Sequence, residues 1–199
     1  MRILAFSDLH CDRTAAQLVI DTGEKADVVV GAGDFGIRGE RSTELLELFD
    51  VLSAPLVLVC GNHDSRSALT SFCTKTENIH LLDGSSLTLK GVTFFGLGGE
   101  IPSRSTEPWN ESMLEEDASA ILTTAVEHQV LLTHTPPFGY CDLQRTGVHE
   151  GSRAIAEAVT RHQPRLCLCG HIHHAWGSVE QLGQTTVHNI GPEPVWYEV

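Results

Sequence analysis

The sequence has no apolar run long enough to cross a membrane, since its uncharged apolar stretches are far shorter than the roughly 20 residues that a spanning helix needs. The apolar stretch at residues 3–6 is also too short for the core of a signal peptide. We therefore expect a cytoplasmic protein with no membrane partner.

Basic residues are scarce as well. The 199 residues include 13 Lys and Arg against 26 Asp and Glu, which gives a formal net charge of −13. A surface this acidic repels a phosphate backbone, so no long nucleic acid is expected as a partner. Low-complexity segments and linkers are also missing, and the length suits one packed core, so a single domain over residues 1–199 is predicted. The sequence leaves open whether the chain forms a homo-oligomer.

Cysteines are present, but they do not form the pattern of a disulfide framework. Six cysteines occur in a chain without a secretion signal, so reduced thiols are expected. Cys167 and Cys169 resemble a metal-binding pair, yet they alternate within the apolar run 166–169, which places both on one face of a strand. We interpret this pair as part of the core.

Histidine, by contrast, is abundant, with 11 residues in a chain that has only 13 Lys and Arg. Histidine is the commonest side-chain metal ligand and the usual acid–base group near neutral pH. The positions of these histidines therefore direct the search for a site.

The order of the predicted elements indicates an α/β fold with parallel strands. Short apolar runs rich in β-branched residues alternate with segments of helical spacing, a pattern that requires helical crossovers between parallel strands. A hairpin through Lys90 and Gly91 follows, and a second series of helices and strands completes the chain. The predicted strands are 3–6, 28–30, 56–59, 87–89, 92–96, 130–132 and 166–169, with two more within 176–195 turned at Gly183, and the predicted helices are 14–22, 42–52, 113–127 and 152–162.

Potential metal ligands follow the ends of five predicted strands. The carboxyl ends of strands in an open α/β sheet share one edge, where ligand sites form, so we expect these side chains to converge on one pocket. In chain order they are Asp8 and His10, then Asp34, then Asn62, His63 and Asp64, then His134, and finally His171 and His173.

The donor types at these strand ends suit a pair of divalent metal ions. Carboxylate, amide and imidazole donors together favour borderline ions such as Mn, Fe or Zn over Ca. A carboxylate such as Asp34 can bridge two ions about 3.5–4 Å apart, the separation used in two-metal phosphoryl hydrolysis. A hydroxide bound between the ions would then attack phosphorus.

Taken together, the motifs resemble those of the calcineurin-like metallophosphoesterase family. The motifs that carry this resemblance are Asp8-x-His10, Gly33-Asp34, Gly61-Asn62-His63-Asp64, His134 and Gly170-His171-x-His173. Five such blocks in this order are specific, whereas one alone is weak. Within that family, the segment from His134-Thr135-Pro136-Pro137 to Gly151, then Pro164 and Gly170-His171-Ile172-His173, resembles the small phosphodiesterase-type members.

The resemblance implies a fold, a cofactor and a set of residue roles. The fold would be a four-layer α-β-β-α sandwich of two mixed sheets flanked by helices. The cofactor would be two divalent ions, Mn first, with Fe, Zn or Mg as alternatives. His63 would protonate the leaving alkoxide. The first ion would be held by Asp8, His10, Asp34 and His173, and the second by Asp34, Asn62, His134 and His171.

One position departs from the pattern of the protein-phosphatase members. Those members have an acid three residues after the Gly-Asp aspartate, where this chain has Ile37. That acid usually orients the catalytic histidine, so its absence argues against protein phosphatase activity. Asp64 is then the candidate to orient His63, although the side chains of adjacent residues tend to point apart.

Three arginines, Arg13, Arg38 and Arg66, lie a few residues downstream of ligand blocks. Arginine matches phosphate oxygens bidentately, so we hypothesise that at least one of them binds the substrate phosphate. The alternative, surface ion pairs with Glu40, Glu44 or other nearby acids, is equally compatible with the sequence. Trp109, in the loop 98–110, is a candidate to line the pocket.

The sequence therefore predicts a metal-dependent phosphoric ester hydrolase that acts on a small phosphoester. Small phosphodiesters, cyclic nucleotides among them, are the first substrate class, and phosphomonoesters are the second. Two alternatives remain: a serine/threonine-type protein phosphatase, and a non-enzymatic interaction scaffold on the same fold.

Overall fold

Strands and helices alternate through the described part of the chain, residues 1–125 and 128–199 of a computed structural model. The elements in chain order are β1 (Arg2–Phe6), α1 (Arg13–Gly23), β2 (Val28–Gly31), α2 (Ser42–Leu46), β3 (Leu56–Leu58), α3 (Arg66–Cys73), β4 (Ile79–Leu81), β5 (Ser85–Leu89), β6 (Val92–Leu97), α4 (Glu115–Thr123), β7 (Val130–Thr133), α5 (Arg153–His162), β8 (Leu166–Cys169), β9 (Val179–Leu182), β10 (Thr185–Asn189) and β11 (Val195–Glu198).

These strands form two mixed sheets. The first has five strands in the order β11-β1-β2-β3-β4, of which β1 to β4 are parallel neighbours and β11 is antiparallel to β1. The second has six strands in the order β5-β6-β7-β8-β10-β9, with a parallel centre from β6 to β10 and an antiparallel strand at each edge.

Alternate residues of the central strands face opposite apolar layers. In β1, Leu4 and Phe6 pack against the helices on the outer face of the first sheet, whereas Ile3 and Ala5 face the second sheet. A third apolar layer lies between the second sheet and α4 and α5. Strands buried on both faces read as continuous apolar runs, and the resulting α-β-β-α sandwich confirms the predicted fold.

Most predicted elements are confirmed, with local differences. The segment 42–52 begins as α2 and continues as a 3₁₀ helix over Glu47–Val51. The helix predicted for 113–127 is observed as α4, and its last two predicted residues, Val126 and Glu127, lie outside the described residues. The two strands turned at Gly183 are β9 and β10.

Three short elements were missed: α3, β4 and β11. Helix α3 buries only Leu69, so it lacks the repeated apolar spacing that identifies a helix. Strand β4 has only one fully buried residue and β11 has none, so neither forms the buried apolar run that identified strands as short as β2 and β3.

All six cysteines are free thiols, and Cys167 and Cys169 are fully buried, as their alternation predicted. Among the helices in the described residues, none combines the length and the apolar character needed to cross a membrane.

Candidate metal centre

The ends of β1, β2, β3, β7 and β8 bring seven potential ligands to one edge, where the two sheets meet. Hydrogen bonds across the sheets fix this meeting. His134, after β7, has Nδ1 2.8 Å from the carbonyl of Ala32, after β2. The backbone N–H of His171, after β8, donates to the Asp8 carboxylate, after β1, at 3.1 Å. The predicted convergence is thus present in the fold.

The backbone at these ligands adopts an uncommon conformation. Asp8, His10, Asp34 and His171 have φ values of 55°, 43°, 58° and 67°, in the left-handed region that non-glycine residues seldom occupy. Such conformations persist at functional sites, where the surrounding structure holds them. A Cβ at Gly61 would collide with the Asp34 carboxylate, so the close approach of the β2 and β3 loops requires glycine there.

One group of donors surrounds His10. Its Nε2 lies 3.1 Å from Nε2 of His173 and 3.6 Å from Oδ2 of Asp34. Nε2 of His173 in turn lies 3.6 Å from Oδ1 of Asp8. Donor atoms from three different strand ends therefore lie close together in this group.

A second group surrounds Asn62. Its Oδ1 lies 3.1 Å from Nε2 of His134 and 3.1 Å from Nδ1 of His171. Nε2 of His134 is also 3.5 Å from Oδ2 of Asp34. The same Asp34 oxygen therefore faces both groups, as a bridging carboxylate requires.

The donor set fits divalent metal ions. Donor atoms of Asp8, His10 and His173 lie within 4.8 Å of one another, and so do those of Asp8, Asp34 and His134. Asp8 and Asp34 are almost fully buried, and buried carboxylates need a cation or strong donors to offset their desolvation. Mixed oxygen and imidazole donors favour Mn, Fe or Zn over Ca.

The electrostatics of the pocket keep its carboxylates ionised. Burial acts to raise the pKa of Asp34, but the facing His134 ring outweighs it and holds that pKa below its ordinary value. The pKa of His134 itself is raised to about 9, because the Asp34 carboxylate outweighs burial. Burial, followed by the charge of His134, lowers the pKa of His171 to about 3. An ionised carboxylate and a neutral imidazole are the forms that coordinate metals, so a metal ion bound here would displace a proton from His134.

His63 lies beside the first group of donors, and its ring is oriented by the backbone. The backbone N–H of Arg38 donates to Nδ1 of His63 at 3.2 Å, so the proton of the neutral ring is on Nε2. The ring packs between His10, at 5.0 Å between centroids, and Trp109, at 4.6 Å. Burial lowers the pKa of His63.

The Asp64 carboxylate is fully buried and contacts neighbouring loops. Burial, with the charge of Asp34, raises its pKa to about 6. Its four hydrogen-bond donors come from the loops that carry the ligands and from the start of α2: the backbone N–H groups of Asp34 (2.9 Å), Gly36 (2.9 Å) and Gly61 (2.8 Å), and the hydroxyl of Ser42 (2.6 Å). This arrangement favours a structural role for Asp64, with the orientation of His63 provided by Arg38.

The three candidate arginines occupy different surroundings. The Arg66 guanidinium forms ion pairs with Asp83 and, at 3.0 Å, with Glu111, which favours the ion-pair interpretation for this residue. Arg13 is exposed at the first residue of α1. Arg38 lines a cleft of about 540 Å³ together with Trp109, so of the three it is placed best to meet a substrate beside His63.

Trp176 and Glu100 are among the residues that contact the ligands and were not found from the sequence. The Trp176 indole N–H donates to Oδ2 of Asp8 at 3.3 Å, and its ring packs on His173 with 4.2 Å between centroids. The Glu100 carboxylate lies 3.7 Å from Nε2 of His171. Glu100 comes three residues after β6, so the rule that ligands follow strand ends could have found it; Trp176 carries no comparable signal.

Comparison with known proteins agrees with this geometry. Residues 1–175 match the family described as calcineurin-like phosphoesterase. A UPF0046 protein of Caenorhabditis elegans is 30% identical over 95% of this chain and 69% of its own length. A probable cyclic nucleotide phosphodiesterase of a Synechococcus strain is 25% identical over 80% of this chain, which spans only 62% of that relative. A crystal structure of a Thermus thermophilus protein superposes with a TM-score of 0.74 at 21% identity, over 96% of this chain and 88% of that one.

Proposed function

This chain belongs to the calcineurin-like phosphoesterase family, and on that premise we propose that it hydrolyses small phosphodiesters with two divalent metal ions. Cyclic nucleotides are the first substrates to test, in line with the name of the Synechococcus relative, and phosphomonoesters are the second class. The observation that carries the proposal is the Asp34 oxygen that faces both groups of donors, at 3.6 Å from His10 and 3.5 Å from His134.

The proposed ligands are those of the two donor groups. When bound, two divalent ions activate water as the nucleophile and neutralise the charge on the phosphate oxygens. Mn is the first candidate, with Fe, Zn or Mg as alternatives. Asp8, His10, Asp34 and His173 would hold one ion, and Asp34, Asn62, His134 and His171 the other.

His63 is proposed to stabilise the charge that develops on the leaving oxygen by donating a hydrogen bond from Nε2–H, since a neutral imidazole that gave up this proton would become an imidazolate. The Arg38 N–H on Nδ1 fixes this tautomer, and the packing between His10 and Trp109 fixes the plane of the ring. A positioned proton donor contributes most when the leaving group is a poor one.

The role of His63 predicts a dependence on the leaving group. The His63→Asn variant should lose about a hundredfold in kcat for a phosphodiester with an alkoxide leaving group. With p-nitrophenolate, which leaves without protonation, the loss should be much smaller. Steady-state kinetics on the two substrates measures the difference, and equal losses on both would contradict a hydrogen bond from His63 to the leaving oxygen.

Arg38 is proposed to bind the substrate phosphate or the group next to it. The Arg38→Ala variant should raise KM about tenfold with little change in kcat, because a partly solvated charge-assisted contact contributes on the order of 1.4 kcal/mol. The control is Arg165→Ala, which removes an exposed arginine just before β8, at the opposite edge of the sheet. A wild-type KM for Arg38→Ala would rule out this contact.

The enzyme itself is tested with the metal-loaded and the chelated protein. We expect hydrolysis of bis(p-nitrophenyl) phosphate and of a cyclic nucleotide that needs added Mn²⁺ and is lost with EDTA. Protein that binds no divalent ion and turns over neither substrate would overturn the proposal and favour the interaction scaffold. Turnover of phosphoserine peptides in preference to diesters would favour a protein phosphatase.

A further inference from the structure

Four side chains form a closed ring of polar contacts beside the second group of donors. Oδ1 of Asn62 lies 3.1 Å from Nδ1 of His171, and Nδ2 of Asn62 donates to Oδ1 of Asn110 at 3.0 Å. Nδ2 of Asn110 donates to Oε2 of Glu100 at 2.9 Å. Oε1 of Glu100 lies 3.7 Å from Nε2 of His171, which closes the ring.

Two members of this ring are proposed metal ligands, and the other two are not. Asn62 and His171 each turn one polar atom toward the second group of donors. The other polar atom of Asn62 faces Asn110, and that of His171 faces Glu100. The Glu100 side chain is 9% exposed and that of His171 is 13% exposed. The ring is thus largely shielded from water. In such an environment polar contacts are stronger, and a polar group without a partner is costly.

The Glu100 carboxylate determines which atoms donate and which accept hydrogen bonds in the ring. An ionised carboxylate only accepts hydrogen bonds, so Asn110 must present its NH₂ group to Glu100 and its oxygen to Asn62. Asn62 must then turn its own NH₂ group to Asn110, which leaves its Oδ1 for the donor cluster. The same carboxylate favours a proton on Nε2 of His171 and thereby leaves Nδ1 as the coordinating nitrogen.

Glu100 is itself held in place by the backbone of its loop. Oε2 accepts the N–H of Arg104 at 2.9 Å, and the N–H of Glu100 donates to the carbonyl of Glu111 at 3.0 Å. The N–H of Glu111 donates to the carbonyl of Asn62 at 3.0 Å. The loop that carries Glu100 and Asn110 is therefore tied to the β3 loop that carries Asn62.

We propose that Glu100 is a positioning residue for the second metal ion: it presents Asn62 Oδ1 through Asn110, and it presents His171 Nδ1 through its own contact with Nε2 of that ring. The inference rests on the proposed two-metal site and adds two residues that set the affinity for one of the two ions. Its readout is metal binding, which is measured without substrate and is independent of whether phosphodiesters are hydrolysed.

The experiment compares Mn²⁺ binding to wild type, Glu100→Gln, Asn110→Ala and Glu107→Gln by calorimetry, with metal content after gel filtration as a second measurement. Glu100→Gln should weaken the binding of one ion about 10–100-fold and leave the other unchanged. Asn110→Ala, which keeps the Glu100 contact to His171, should weaken the same ion by a smaller factor. Glu107→Gln removes one negative charge from an exposed position of the same loop and should match wild type.

Three results would overturn the proposal. The first is wild-type affinity for both ions in Glu100→Gln. The second is an equal loss of affinity for both ions in that variant. The third is the same loss of affinity in Glu107→Gln, which would indicate a general effect of charge.

The thermal unfolding of each metal-free variant shows whether the chain is folded. If Glu100→Gln does not fold, Asn110→Ala alone decides, and unchanged affinity for both ions in that variant would also overturn the proposal. Wild type that binds two ions without hydrolysing phosphodiesters would leave this inference intact and reject the proposed function.

Discussion

Replacing Asp34 by asparagine is expected to reduce phosphodiester turnover at least about a thousandfold, equivalent to about 4 kcal/mol of transition-state stabilisation. The reason is that one Asp34 oxygen faces His10 of the first donor group and His134 of the second, at 3.6 Å and 3.5 Å. An amide is uncharged, and if its oxygen keeps the hydrogen bond that Oδ1 of Asp34 accepts from the N–H of His63, its NH₂ group faces the two cations instead. Metal content and kcat should therefore fall together in Asp34→Asn.

The matched control for this prediction is Asp21→Asn, which removes the same charge from an exposed position on α1, where Asp21 accepts only a hydrogen bond from Gln17. This variant should keep wild-type turnover and metal content. Asp34→Asn protein that still holds two ions per chain and hydrolyses bis(p-nitrophenyl) phosphate at the wild-type rate would refute the shared-ligand assignment.

Replacing Asp64 by asparagine is expected to lower stability by about 3 kcal/mol, even in protein free of metal. The Asp64 carboxylate accepts four hydrogen bonds in a fully buried position, and a buried donor that loses its acceptor costs about 1–3 kcal/mol. An amide in its place turns an NH₂ group toward donors that then lack an acceptor. For a chain of this size the loss corresponds to a fall in Tm of about 6–12 °C.

Thermal unfolding of metal-free protein distinguishes this structural role from the catalytic one that the sequence suggested. If Asp64 acted only by orienting His63, then Asp64→Asn would have an unchanged Tm and a reduced kcat. The control is Asp50→Asn, at an exposed position of the 3₁₀ helix after α2, which should unfold at the wild-type temperature. Activity should also fall in Asp64→Asn, because the loops after β2 and β3 lose the group that joins them.

Much of the fold follows from local sequence pattern. The runs at β1, β2 and β3 are apolar at every position facing the two layers, and such runs are typical of strands that are covered on both faces. The helical crossovers between them follow from the parallel order. The pattern failed where a strand is only partly buried, as in β4 and β11, or where a helix buries a single side chain, as in α3 with Leu69. In those places the tertiary contacts, rather than the local sequence, select the conformation.

The candidate ligands could be read from the sequence because each follows the end of a strand. The orienting contacts could not, because they join residues far apart in the chain through backbone groups that carry no sequence signal. The N–H that orients His63 belongs to Arg38, and any residue there except proline would supply it. The ion pairs that engage Arg66 depend on Asp83 and Glu111, which only the fold brings near.

By itself, then, the sequence determined which runs form the buried central strands, that these strands are parallel, and the edge at which carboxylates and imidazoles collect. The buried strands follow from side-chain periodicity, and their parallel direction follows from the helical crossovers between them. The tertiary structure alone decided which nitrogen of His63 carries the proton, that Asp64 joins the ligand loops, and that Glu100 closes a ring around Asn62 and His171. These features depend on distances of a few ångströms between segments that are distant in sequence, and only the packing of the folded chain determines those distances.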